Sequence, residues 1–209
     1  MILKVEIHKK AFDSVIRAMR DVEQSEERVL KTAVNNTARK AQKLLVRKAA
    51  CAYAGKAAKP GTIQGASAII KATTASPEAT VTFKSPVHDI GDFHVSGMKV
   101  ASPFTSGGRY SSRRPKGNVL KGNAKKFSNA FVVRFESGHV AVVSRVPGTN
   151  ARKYQGKPQK PHYEKLRKWI SPSYLKMIGS EKVYNADEIA QILDGEVKNV
   201  MQQVLGGNR

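Results

Sequence analysis

Thiols are nearly absent from this chain: Cys51 is the single cysteine. That excludes an intramolecular disulfide and a zinc site built on cysteines. Set among alanines, Cys51 reads as a small packing residue. Acids are scarce too, with 16 Asp and Glu against 37 Lys and Arg, a net charge of +21. Aromatics are sparse at 7%, and the 40% hydrophobic content is enough for a core without being generous. No apolar run approaches the roughly 18 residues that span a bilayer, so no membrane partner is expected. The opening MILKVEIHKK turns charged at Lys4, unlike a secretory signal, and a cytosolic origin is expected.

What is present is concentrated basic charge. Such an excess argues for a polyanionic neighbour, either nucleic acid or an acidic protein surface. The bland alternative is a protein whose charge only keeps it dispersed. From Phe93 to Tyr163, fourteen Lys or Arg stand against the one acid Glu136, a net of +13. From Ser180 to Arg209, five acids and three bases leave a net of −2. Within the basic stretch, residues 102–128 are rich in Gly, Ser, Pro and Asn and lack periodicity. They are expected to form a long basic loop that a partner orders. Its Arg109, Arg113, Arg114, Lys116, Lys121, Lys125 and Lys126 are candidates for neutralising phosphates or an acidic partner, with Tyr110 and Phe127 interleaved. Phosphate contact needs charge and reach but no fixed spacing. No helix-turn-helix, zinc-finger or RNP pattern occurs, so any nucleic-acid contact is expected to be independent of sequence.

The stretch Ala130 to Val146, AFVVRFESGHVAVVSRV, predicts a β-hairpin turning at Ser137-Gly138. A two-residue loop sets Phe135 opposite Val140, Val133 opposite Val142 and Phe131 opposite Ser144. The face carrying Phe131, Val133, Phe135, Val140 and Val142 is the expected hairpin core. The hairpin is expected to centre the one clear sheet, with helices packed on that face.

Elsewhere, Met1 to Ile7 suggests a short strand, and residues 10–22 a helix. Ser25 is a candidate cap for a longer helix whose stripe is Val29, Leu30, Ala33, Val34, Ala38, Ala41, Leu44 and Leu45. Pro60-Gly61 reads as a break, and residues 78–84 have strong β character. Val87 to Phe93 suggests a strand interrupted at Gly91. Pro172 suits the first turn of a short helix over Tyr174 to Ile178. The last helix has Asn185 as cap, Glu188 completing a capping box, and Ile189, Ile192, Leu193, Val197, Val200, Met201, Val204 and Leu205 on one face.

One cluster invites an enzyme reading. His88, Asp89, Asp92 and His94 are metal-ligand types, and a basic protein with such a site suits a metal-dependent nuclease. No second carboxylate cluster lies nearby, and polar residues on the outer side of a strand are the favoured interpretation. No catalytic residue, metal or cofactor is assigned, and no enzyme is expected.

Three pieces resemble the minor tail protein Z and tail-completion proteins of long-tailed bacteriophages. They are IIKATTASPEATVTF (Ile69 to Phe83), AFVVRFESGHVAVVSR (Ala130 to Arg145) and WISPSYLKMIGS (Trp169 to Ser180), the last with Ser171 where the family pattern has Gly. The order of helix, strands, basic insertion, hairpin, SPS element and terminal helix is also similar. The resemblance implies a single α+β domain over 1–209, with the basic insertion at about 102–128. It implies a small antiparallel sheet centred on the hairpin, packed by a long N-terminal helix and a C-terminal amphipathic helix. It further implies a structural virion protein at the head–tail junction. The expected partners are tail terminator, tail tube or neck proteins, a homo-oligomeric ring, and non-specific contact with phage DNA. The expected location is the virion tail or neck, and the host cytoplasm during assembly. The readings from other classes are the metal-dependent nuclease and a sequence-independent nucleic-acid-binding protein.

Overall fold

The computed structural model describes residues 2–5, 26–84, 88–98, 115–127, 129–135, 138–149 and 165–206. The expected helix over 10–22, the cap at Ser25, and Arg109, Tyr110, Arg113 and Arg114 lie outside them. The fold is α+β, with a long N-terminal helix, a C-terminal helix and small antiparallel sheets. Instead of one clear sheet, the described residues carry three of three strands each. The chain gathers into two compact units. One comprises residues 1–50, 60–86 and 174–209, and the other residues 51–59 and 87–173.

The first unit holds strands β1 (Ile2–Val5), β2 (Ser67–Ile70) and β3 (Ala79–Phe83), with β3 central and both neighbours antiparallel to it. Strand β3 alternates as the residue types require: Ala79, Val81 and Phe83 are buried, while Thr80 and Thr82 are half-buried. Helix α1 (Glu26–Ala52) buries Val29, Leu30, Ala33, Val34, Ala38, Ala41 and Leu45, the expected stripe except for half-buried Leu44. Thr37 lies in that stripe because its Oγ1 donates to the Ala33 carbonyl at 2.8 Å, which satisfies the hydroxyl inside the core. Asn35 clamps the 70s segment. Its Nδ2 donates to the Ala72 carbonyl at 3.2 Å, and its Oδ1 accepts from the Ala72 N–H at 2.9 Å.

Pro60 opens helix α2 (Pro60–Gly65) instead of breaking the chain, a position where its missing N–H costs nothing. Helix α3 (Tyr174–Ile178) follows Pro172 as expected and buries Tyr174, Met177 and Ile178. Helix α4 (Ala186–Gly206) is capped by Asn185, whose Oδ1 accepts from the N–H groups of Asp187 at 2.9 Å and Glu188 at 3.4 Å. The Glu188 carboxylate takes the Lys48 ammonium as a partner, and Glu196 likewise takes Lys40. As α1 advances from Lys40 to Lys48, α4 retreats from Glu196 to Glu188, so the two helices run antiparallel.

The second unit holds strands β4 (His94–Ser96), β5 (Lys116–Asn118) and β6 (Lys125–Lys126) in one sheet, and β7 (Ala130–Arg134), β8 (Val140–Arg145) and β9 (Leu166–Lys168) in another. The hairpin β7–β8 is present, but its register differs from the expectation. Val132 faces Val142, Phe131 faces Val143 and Arg134 faces Val140. The Phe135 N–H donates to the His139 carbonyl at 2.8 Å, and the Gly138 N–H donates to the Phe135 carbonyl at 2.9 Å. Gly138 has φ +81°. The loop therefore contains three residues, and Gly138 supplies the positive φ at its end.

That one extra residue redistributes the expected hairpin core, since a one-residue shift moves side chains between faces. Val142 and half-buried Val140 lie with Ala130 and Val132 on one face, packed with Ile90 and Phe127. Val133, Ala141 and Val143 form a second cluster on the other face, against half-buried Phe131 and Phe135. Both faces are thus covered. The long helices belong to the other unit, grouped with the β1–β3–β2 sheet.

Candidate polyanion interface

Residues 115–127 are not the loop that composition predicted. Lys-Gly-Asn and Lys-Lys have little intrinsic strand preference, so pairing with neighbours makes them strands. The segment after β5 is anchored from the chain around Tyr53. The Ala54 N–H donates to the Val119 carbonyl at 2.9 Å, and the Lys121 N–H donates to the Ala52 carbonyl at 3.0 Å. Gly122, at φ +78°, reverses the chain into β6.

Pairing runs His94 with Asn118, Val95 with Gly117, and Ser96 with Lys116; Lys116 and Gly117 then pair with Lys126 and Lys125. Cross-strand partners share a face, so the sheet has two unlike sides. On the inner side, Val95 and the Phe127 that follows β6 join the cluster around Ile90, Val132 and Val142. Gly117 is required here: a Cβ would stand 2.3 Å from Phe127 Cζ. Phe127 stacks tilted on Trp169 with ring centroids 5.1 Å apart and is buried. It is a core residue, so the expectation that it interleaves with the cations on the surface is corrected.

The outer side carries His94, Ser96, Lys116 and Lys126, all exposed, with half-buried Asn118 and no acid. Lys116 and Lys126 stand directly opposite each other. Like charges so placed work against the sheet, and an anion lying over both reverses the sign of that interaction. Lys121 and Lys125 are exposed on the same meander. Of the seven expected basic residues, these four are described: Lys116 and Lys126 share the outer side, Lys125 pairs with Gly117 on the other side, and Lys121 stands in the connecting turn. The sequence signalled their charge but not the pairing of Lys116 with Lys126.

The His/Asp cluster takes a different form from the interrupted strand. Ile90–Asp92 is a 3-10 turn, and only His94 begins a strand. Asp89 Oδ2 lies 2.9 Å from His139 Nε2, and Asp89 Oδ1 lies 3.0 Å from Lys168 Nζ. His88 Nδ1 is 3.8 Å from Asp92 Oδ2, and His94 stands on the sheet's outer face. Among the described residues no group of three or more His, Cys, Asp or Glu is placed to hold a metal ion. Asp89 instead joins the hairpin turn and β9 to the segment before β4. Ser171 strengthens the same junction, its N–H and Oγ both donating to the His88 carbonyl at 2.9 and 3.0 Å. Glycine at this position would lack the second bond.

No helix among the described residues is long and apolar enough to cross a membrane. No protein-family model, curated protein or solved structure matches the chain.

Proposed function

We propose that this chain is a non-enzymatic structural protein of a long-tailed phage virion. In this reading it completes the tail at the head–tail junction, and the outer face of β4–β5–β6 meets a polyanionic neighbour. The observation that supports polyanion contact is the exposed, acid-free pairing of Lys116 with Lys126 inside the most basic stretch of the chain. The virion context rests on the three resembling segments. In that setting the neighbour is phage DNA or an acidic surface of a tail terminator, tail tube or neck protein. The chain acts there as a homo-oligomeric ring, assembled in the host cytoplasm.

The test is to replace Lys116, Lys121, Lys125 and Lys126 together with Gln in the phage. All four are exposed, so the fold should persist, with a melting temperature no lower than that of the unsubstituted chain. Infectious titre is expected to fall by at least about tenfold, because charge-dependent contacts to a polyanion are lost together. Unjoined heads and tails would identify an acidic protein surface as the neighbour, and joined but non-infectious particles would identify DNA. A normal titre would reduce the charge to a solvated face and remove the interface.

A further inference from the structure

The first unit contains a second charged feature that composition did not single out. An open groove of about 650 Å³ runs along α1 and α4. Asn36, Arg39 and Lys43 line it from α1, at helical spacings that place them on one face. Asn199, Gln202 and Gln203 line it from α4. Between the two sets, Lys40 is neutralised by Glu196, a carboxylate on a residue only 5% exposed. Arg39 and Lys43 have no acidic partner among the described residues, and the four carboxamides make no hydrogen bond there. Two uncompensated cations one helical turn apart therefore stand beside four side chains that each donate and accept.

We propose that this groove binds a nucleotide unit, with its phosphate on Arg39 and Lys43 and its base edge on the carboxamides. A simple carboxylate would use the two cations and leave the carboxamides idle. A base edge presents donors and acceptors side by side, and Asn and Gln match such pairs with two hydrogen bonds. The same chemistry is offered by a free mononucleotide and by one residue of a single strand. This site is separate from the β4–β5–β6 face and stands or falls independently of it.

The experiment titrates the full chain with ATP and with a labelled oligo-dA strand, for the natural sequence and three variants. Arg39→Gln with Lys43→Gln is expected to weaken binding at least about tenfold, the loss of a charge-assisted phosphate contact. Asn199→Ala with Gln203→Ala is expected to weaken ATP binding more than binding of inorganic triphosphate. Lys84→Gln with Lys182→Gln, two exposed cations outside the groove, is expected to leave ATP affinity unchanged. ATP binding as tight as the strand would identify a free nucleotide, and strand binding alone that depends on Arg39 and Lys43 would identify a nucleic acid. All the substituted side chains are exposed, and a melting curve for each variant verifies folding. The proposal is overturned if neither probe binds, if the Arg39/Lys43 variant binds both normally, or if the Lys84/Lys182 variant loses ATP equally. Polyglutamate displacing ATP as well as unlabelled ATP does would also overturn it, by showing an anion site without base recognition.

Discussion

Phe127→Ala is expected to destabilise the second unit by about 3–5 kcal/mol, the range for a large aromatic side chain removed from a packed core. Its ring lies against the backbone of Gly117, stacks on Trp169 and joins Ile90, Val132 and Val142 between the two sheets. Phe135→Ala serves as the comparison. Phe135 is only half-buried at the hairpin's end, so its loss should cost about 1 kcal/mol, in line with a partial change in exposed area. Trp169, the single tryptophan, belongs to this unit, and its fluorescence during urea unfolding reports both variants. Equal losses for the two would mean that the hairpin register described above is wrong.

Gly55→Ala is expected to destabilise the same unit by about 3 kcal/mol or more, combining an unfavourable backbone conformation with overpacking. Gly55 has φ +96°, and an added Cβ would stand 2.4 Å from Phe93 Cα and 2.5 Å from the Asp92 carbonyl oxygen. Those are backbone atoms, so no rotamer change relieves the contact. The same Asp92 carbonyl accepts from the Lys56 N–H at 2.9 Å and the Ala57 N–H at 3.3 Å, and moving it disturbs both bonds. Gly122→Ala separates the two contributions: Gly122 also has positive φ, at +78°, but nothing lies within 4 Å of its added Cβ. It should therefore cost only about 1–2 kcal/mol. Thermal melts that place Gly55→Ala no lower than Gly122→Ala would contradict the close approach of the two backbones.

The helices were the most legible part of the sequence, because apolar spacing along α1 and α4 is a local property that tertiary packing did not override. The cap at Asn185 was readable for the same reason. The hairpin was legible in its existence but not in its register. Gly138 marked the turn, yet a loop of three residues rather than two changes which residues share a face. Phe131, Val133 and Phe135 could not be separated from Val140 and Val142 without that count. Strands β5 and β6 were illegible because Lys116–Asn118 and Lys125–Lys126 carry no strand pattern of their own. Backbone bonds from Ala52 and Ala54, together with pairing to β4, define their path. Phe127 was misplaced for the same reason: its burial depends on Gly117 making room across the strand. The carboxamide groove was invisible at sequence level, since Asn36 and Gln203 line one groove only through antiparallel packing of helices far apart in the chain.

The proposed function puts this chain at the head–tail junction of a phage particle. An electron micrograph of assembled particles, with an antibody or gold label on this chain, tests it most directly. Label is expected between head and tail, at the upper end of the tail tube. Particles that assemble fully without the chain, or label confined to the distal tail or to the capsid surface, would contradict it.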